Sequence, residues 1–361
     1  MSNIHINFFG SSSFVVEILE NIYQNEGRQL LSVFDEQLVW LKKNYPQAGV
    51  LPNAWLDLNP AFFKENYKQV IDLTIKLGLV VSQPDRENRG RVVSNPVVNF
   101  ARTNSLKVFT PEKINLELEK YVKLSNPKSL SVVASFGQII SQKVLDANSF
   151  GFINWHPSLL PKYRGPTPMQ SALLNGDQKT GLSWIEVGAK MDAGRVLLQL
   201  EQDLEGGETI FEMQKVMKEL GKNTWALAVV ANITQEVTLN LTQNESVVVF
   251  CSKVAKENAM VDPKINTSSQ IINHWRAYLE YPGTTFLDNL KFNSSIKLVE
   301  VSTDAEIPTG EVLYEDQYWL QTKENKTLKT YLKCFNNSYI QVFKITLESG
   351  KRLDLSGYSF I

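Results

Sequence analysis

The chain has 361 residues, a length that suits two domains. Its formal net charge of −1 excludes whole-chain attraction to nucleic acid or anionic lipid, so any polyanion must be met by a local basic patch. Two cysteines, Cys251 and Cys334, exclude a disulfide framework and a cysteine-based metal cluster. The N-terminal stretch lacks the basic and apolar regions of a signal peptide, and no apolar run approaches the roughly 20 residues of a membrane helix. The expectation is a cytoplasmic protein with no membrane association and no metal, in which the Asn-x-Ser/Thr triplets at Asn240 and Asn293 are chance matches.

In chain order, Ile4 to Phe9 reads as a strand, followed by Gly10-Ser-Ser-Ser13 and a helical pattern over Phe14 to Leu19. Strand, glycine and helix in that order make the first βα turn of a doubly wound α/β fold. The single glycine excludes the G-x-G-x-x-G dinucleotide fingerprint, and Ser11 to Ser13 read as a helix cap. Residues 28–76 carry helical periodicity broken by Pro46, Pro52 and Pro60, and read as a helical insertion. Gly78 to Val81 reads as the second strand; a charged loop, Glu87 to Arg91, follows, then a helix starting near Asn95-Pro96. Apolar runs at Leu106–Phe109, Ser131–Phe136 and Gly151–His156 read as further strands of a parallel sheet, extended by Leu182–Val187 and Val196–Leu200. A helix with apolar residues from Ile210 to Leu220 is expected to stop at Gly221. From about Asn240 short strands alternate with Gly, Pro and Asn turns. That texture predicts a small β domain, barrel-like, entered through a helix near Ser268 to Tyr278, with 241–246 as linker.

The chemistry concentrates at the end of one strand. Asn154 and His156 stand at i and i+2, so both side chains emerge on one face, just before Pro157 ends the strand. Carboxyl ends of strands are where open α/β sheets build their sites. Asp192 lies in a polar turn, Gly188 to Gly194, between the two later strands. An amide donor, an imidazole and a carboxylate together suit acyl transfer to an amine. Asn154 can stabilise a developing oxyanion, a contribution of roughly 2.7–4 kcal/mol in comparable sites. His156 can take the proton lost by the amine, for roughly 10²–10⁴-fold. Asp192 can orient the ring and hold its charge, or receive the proton itself. No activated Ser or Cys nucleophile is apparent, which favours direct transfer. The plain structural alternative makes Asn154 and His156 strand-end caps and Asp192 a turn former; His5 and His274 read as structural.

At these residues the chain resembles the formyltetrahydrofolate-dependent formyltransferases. The resemblance rests on Asn154-Trp-His156, Ser158-Leu-Leu-Pro161, Tyr163-Arg164-Gly165-Pro-Thr-Pro168 and Asp192-Ala-Gly194, with Asn175-Gly-Asp177 and Thr180-Gly181 between them. Gln83-Pro84-Asp85-Arg86 with Arg89-Gly90 resembles the loop that the tRNA-directed members insert into an acceptor end, with Asn88 in place of a glycine. The resemblance covers nearly the whole chain except about 28–76.

It implies a Rossmann-like catalytic domain over 1–205, connecting helices and linker over 206–246, and an OB-like tRNA-binding β-barrel over 247–361. It implies Asn154, His156 and Asp192 as catalytic residues. Ser158, Leu159, Leu160 and Pro161, with Phe136 and Gly137, would bind the formyl donor, 10-formyltetrahydrofolate. Arg86, Arg89 and Arg91 would contact the initiator methionyl-tRNA whose α-amine is formylated for translation initiation, by an enzyme acting as a monomer. Two features depart from the family pattern. The C-terminal lysines Lys256, Lys264, Lys291 and Lys297 are offset by acids, and Pro157 replaces a small residue. The alternative is a folate-dependent N-formyltransferase acting on an amino-sugar nucleotide.

Overall fold

The computed structural model describes residues 2–360 apart from 46–49, 52–69, 71, 89, 235–241, 303–307 and 326. The chain divides into two compact units: one of Met1–Pro168, Thr180–Asp203 and Gln214–Cys251, the other of Met169–Lys179, Leu204–Met213 and Ser252–Ile361.

The first unit is built on strands β1 (Ser2–Gly10), β2 (Val50–Leu51), β3 (Leu73–Val81), β6 (Val108–Phe109), β7 (Ser129–Ala134), β8 (Phe152–His156), β9 (Lys179–Glu186) and β10 (Val196–Asp203), with a separate hairpin of β4 (Arg86–Asn88) and β5 (Arg91–Val93). The sheet order is β2-β10-β9-β8-β7-β1-β3-β6. Pairings β1–β3, β1–β7, β3–β6 and β7–β8 are parallel, while β8–β9 and β10–β2 are antiparallel. The α/β expectation with a largely parallel, Rossmann-like sheet therefore holds. Apart from β2 at the far edge, the strands run outward from β1 through β3 to β6, and the chain then returns to lay β7 and β8 on the other side of β1. That reversal is a topological switch point, and β8 lies one strand beyond it.

Aromatic packing beneath this point is dense. Phe9 meets Tyr121, Phe136 and Phe152 edge-on at centroid distances of 5.7, 5.2 and 5.3 Å, within a buried cluster that includes Leu79, Val81 and Val133. Above it, Ser11 ties three strand ends together: its Oγ donates to the Phe136 carbonyl (3.2 Å) and accepts from Gln83 N (3.1 Å). The expected cap is thus corrected. Ser12 occupies the N-cap position of the short 3₁₀ turn Ser13–Val15 without a side-chain bond, and Ser11 is used for strand-to-strand bonding instead.

The 28–76 segment adds more than helical packing. The helix Leu30–Asn44 buries Leu30, Phe34, Leu38 and Leu41. Buried Gln37 on that helix donates to the Lys222 carbonyl (3.2 Å) and accepts from Ala226 N (2.8 Å), closing the break between helices Ile210–Lys222 and Trp225–Thr234. β2, from the same segment, pairs with Gln199 and Leu200 at the sheet edge. The inferred boundary at 76 is also corrected, because Leu73 to Lys76 already pair with Ser2 to His5. The alternating Leu-Thr-Ile-Lys pattern there is a half-buried strand. Residues 46–49, 52–69 and 71 of the inferred insertion lie outside the described residues.

Gly221 does not stop its helix, which continues to Lys222. A Cβ at Gly221 would sit 2.6 Å from Trp155 Nε1 and 2.8 Å from Ile18 Cδ1, so the glycine permits close helix–sheet approach rather than a C-cap.

Among its described residues the second unit carries seven strands: β11 (Thr284–Asp288), β12 (Ser294–Val301), β13 (Glu311–Glu315), β14 (Trp319–Glu324), β15 (Thr327–Cys334), β16 (Ser338–Leu347) and β17 (Arg352–Asp354). The pairings between these strands are all antiparallel, in the order β11-β12-β16-β15-β14-β13 with β17 on β16. Among the described residues these strands form an open path and not the closed barrel expected. The helix Ser268–Tyr278 begins where expected: Thr267 accepts from Gln270 N, and the Gln270 side chain returns to Thr267 N. Its Ile271 and Trp275 pack with Phe286, Ile296, Trp319, Leu332 and Ile345. No described helix is long and apolar enough to cross a membrane.

Candidate active site

β8 delivers two of the expected residues to one face. Its register against β9 sets Asn154 opposite Ile185 and His156 opposite Ser183. Beyond Glu186 the chain turns through residues 187–195, closed by Glu186 N to Arg195 O at 3.0 Å, and brings Asp192 back toward β8. Asn154 Nδ2 donates to Asp192 Oδ1 at 3.4 Å, and His156 Nδ1 lies 3.7 Å from Asp192 Oδ2. The structure therefore brings Asn154, His156 and Asp192 together. His156 is buried and the Asp192 side chain is 14% exposed, enough to meet an incoming ligand.

The expectation that Asp192 orients the imidazole is modified. At 3.7 Å that pair is not hydrogen-bonded. The ring is oriented by the Tyr163 backbone carbonyl, 2.9 Å from Nε2. A carbonyl only accepts, so Nε2 carries a proton, and a neutral ring presents its lone pair at Nδ1, toward Asp192.

Asp192 is itself held in place. Its Oδ2 accepts from Gly165 N at 2.8 Å. Asp192 and Tyr163 both adopt left-handed backbone, with φ of 51° and 63°. Such conformations cost free energy and persist where the surroundings enforce them. Gly194 shows the enforcement: a Cβ there would lie 1.7 Å from the Glu186 carbonyl oxygen, so only glycine lets the turn fold back this closely.

The residues expected to bind the folate divide. In the loop after His156, the Ser158 carbonyl accepts from Ser183 Oγ (2.6 Å), Leu160 N donates to the same Ser183 Oγ (3.2 Å), and the Leu160 carbonyl accepts from Gln199 Nε2 (3.0 Å). Leu160 packs inward against Ile185 and Val196, while Leu159 and Pro161 remain half-buried. The Phe136 ring belongs to the aromatic core, so Phe136 offers only its backbone at the sheet end; Gly137 follows it with φ +79°. Arg86 and Arg91 are exposed on the β4–β5 hairpin, where Asn88 pairs with Arg91. Arg89 lies outside the described residues.

Several contributors escaped the sequence reading. The Tyr163 carbonyl and Gly165 N sit in the Tyr-Arg-Gly run, where backbone groups give no residue-type signal. Residues 249–251, read as the start of the C-terminal domain, lie along that same run: Val249 N donates to Pro161 O (3.2 Å), Arg164 N to Val249 O (2.9 Å) and Cys251 N to Arg164 O (2.8 Å). Among the described residues no group of three or more His, Cys, Asp or Glu is placed to hold a metal ion.

The formyl transferase family pattern matches residues 58–230, which span Asn154, His156 and Asp192. Methionyl-tRNA formyltransferase of Mycoplasmopsis pulmonis is 32% identical over 264 residues, covering 72% of this chain and 90% of that protein. This chain belongs to the methionyl-tRNA formyltransferase family. The same enzyme of Thermotoga maritima is 31% identical over 281 residues, covering 76% of this chain and 88% of its own. Among solved structures, an N-formyltransferase from Helicobacter canadensis in complex with folinic acid and dTDP-3-aminofucose superposes with TM-score 0.53 over 95% of this chain and 99% of its own, at 17% identity. WlaRD, a sugar 3N-formyl transferase, gives 0.52 over 94% and 97%, at 18% identity. At such identities these two structures speak for the fold alone, which the family shares with sugar-directed enzymes.

Proposed function

We infer that the chain transfers the formyl group of 10-formyltetrahydrofolate to the α-amine of initiator methionyl-tRNA. Family membership supports the substrates, and the observation that carries the chemistry is the meeting of Asn154, His156 and Asp192 at the carboxyl end of β8. The amine adds directly to the formyl carbon. Asn154 donates to the oxygen that gains negative charge as that bond forms. His156, with Nε2–H held by Tyr163, receives the amine's proton at Nδ1, and Asp192 opposite Nδ1 stabilises the imidazolium that results. The proton then returns to the nitrogen that loses the formyl group.

In this reading the Ser158–Pro161 loop offers the folate its backbone groups and the half-buried Leu159 and Pro161, and Gly137 contributes to the same slot. Arg86 and Arg91 of the β4–β5 hairpin, together with Arg89, meet phosphates of the acceptor stem. The second unit serves as an OB-like tRNA-binding domain; its bulged antiparallel strands, with register shifts in β12–β16 and β13–β14, support that assignment.

One assay tests the function. The protein is incubated with 10-formyltetrahydrofolate and either methionyl-tRNA or amino-sugar nucleotides, and the formylated amine is identified. Formylmethionyl-tRNA is expected; formylation of the sugar alone overturns the reading.

A further inference from the structure

The segment following residue 241 reads in sequence as a connector, yet its side chains close around the turn that carries Asp192. Gln243 is 7% exposed. Its Nε2 donates to two carbonyls of that turn, Asp192 O and Gly194 O, each at 2.8 Å. Its Oε1 accepts from Arg164 Nε at 3.0 Å. Arg164 is 3% exposed, and its remaining guanidinium nitrogens form a two-point pair with Glu245, Nη2 to Oε1 at 2.8 Å and Nη1 to Oε2 at 3.2 Å.

We propose that Gln243 is a positioning residue for the formyl transfer, holding the Asp192 turn in its left-handed conformation through an amide that Arg164 and Glu245 lock in orientation. The proposal rests on the reading of Asp192 as part of the transfer site.

The chemistry selects glutamine. Two carbonyls converge on one nitrogen, so the side chain must supply two donors from one atom, and the guanidinium requires an acceptor on the other arm. Glutamate would direct an anion at two carbonyl oxygens; asparagine is one methylene short. Arg164 joins the two halves of the site. Its side chain fixes Gln243, and its backbone lies between Tyr163, whose carbonyl holds His156, and Gly165, whose N–H holds Asp192. A displacement of the Gln243 amide therefore reaches the carboxylate through its own backbone.

The test is a double-mutant cycle of Gln243→Met and Asp192→Asn, read as kcat and KM for formylation of methionyl-tRNA. Methionine keeps the volume and removes every hydrogen bond. Gln243→Met alone is expected to lower kcat tenfold or more with both KM values within about twofold, in protein that circular dichroism shows to be folded at the assay temperature. In the Asp192→Asn background the same change should cost less than about twofold, because residues acting as a unit are not additive. A parent-like kcat in Gln243→Met, or full additivity with Asp192→Asn, overturns the proposal. An unchanged kcat in Asp192→Asn itself sinks the underlying assignment of Asp192, a result distinguishable from failure at Gln243. Should Gln243→Met not fold, Gln243→Asn takes its place in the same cycle.

Discussion

The Tyr163 carbonyl oxygen lies 2.9 Å from Nε2 of His156, and that contact decides which ring nitrogen faces Asp192. With Nε2 committed as a donor, Nδ1 is left to accept a proton opposite the carboxylate, 3.7 Å away. Base and counter-charge are thus aligned by a backbone group whose left-handed conformation the surrounding loop imposes. Asn154→Ala, His156→Ala and Asp192→Ala are each expected to lower kcat by at least about 10², the size of a lost oxyanion or acid–base contribution. Steady-state formylation assays on variants with parent-like circular dichroism check this. Near-normal turnover in any one of them removes that residue from the mechanism.

The turn carrying Asp192 makes a second, steric prediction. Gly194→Ala would place a methyl 1.7 Å from the Glu186 carbonyl oxygen, a contact that only a backbone shift relieves. Overpacking of this kind costs about 1–3 kcal/mol, and the shift falls two residues from Asp192. Gly194→Ala should therefore lower both the melting temperature and kcat, whereas Gly188→Ala, whose Cβ would meet nothing within 4 Å, should lower neither by much. Equal behaviour of the two variants would refute the argument.

The loop after His156 separates core from contact surface. Leu160 is 5% exposed among Ile185 and Val196, so Leu160→Ala is expected to cost about 2–5 kcal/mol of stability, measured by denaturant unfolding. Leu159 is half-buried, and calorimetry on Leu159→Ser is the cleaner probe of the folate slot. Weaker folate binding with little change in stability is expected; unchanged binding would take Leu159 out of the slot.

Arg86, Arg89 and Arg91 are tested through salt. Arg89→Ala is expected to lower kcat/KM for methionyl-tRNA tenfold or more, an effect of about 1.4 kcal/mol. Arg86→Ala and Arg91→Ala should each reduce the steepness with which affinity falls as salt rises, because fewer counterions are released per complex. Binding titrations at several salt concentrations check this, and an unaltered salt slope in all three variants would move the tRNA contact elsewhere.

The second unit carries a pH dependence of predictable sign. Burial pushes the His274 imidazolium below its ordinary 6.5, against a smaller opposing effect of the Asn258 backbone. Its neutral ring bonds Thr284 Oγ1 at 2.8 Å through Nδ1. The unfolded chain binds the proton more readily, so the stability from this group is full above pH 6.5 and is lost as pH falls through 6.5 toward the folded value. His5, also depressed, chiefly by burial and then by Lys76, contributes a slope of the same sign. The difference between the parent and His274→Asn isolates His274: the gap in unfolding free energy should narrow as pH drops from 7.5 to 5.5. A gap independent of pH would count against the burial argument.

The sequence by itself determined what depends on neighbours along the chain. The strand–glycine–helix opening, the helix near Ser268 to Tyr278 and the placing of Asn154 and His156 on one strand face rest on local patterns, and they hold wherever the element forms. The tertiary structure alone decided which distant groups meet. It sent Leu160 into the core, enlisted Val50–Leu51 as an edge strand, gave Gly221 to close packing against Trp155 and folded Asp192 back onto β8. It also turned a polar connector into the side chains that hold the Asp192 turn. Backbone carbonyls and N–H groups orient most of this site. They are the same in every residue, so their partners are chosen by the packing of the whole unit and leave no mark in the residue types.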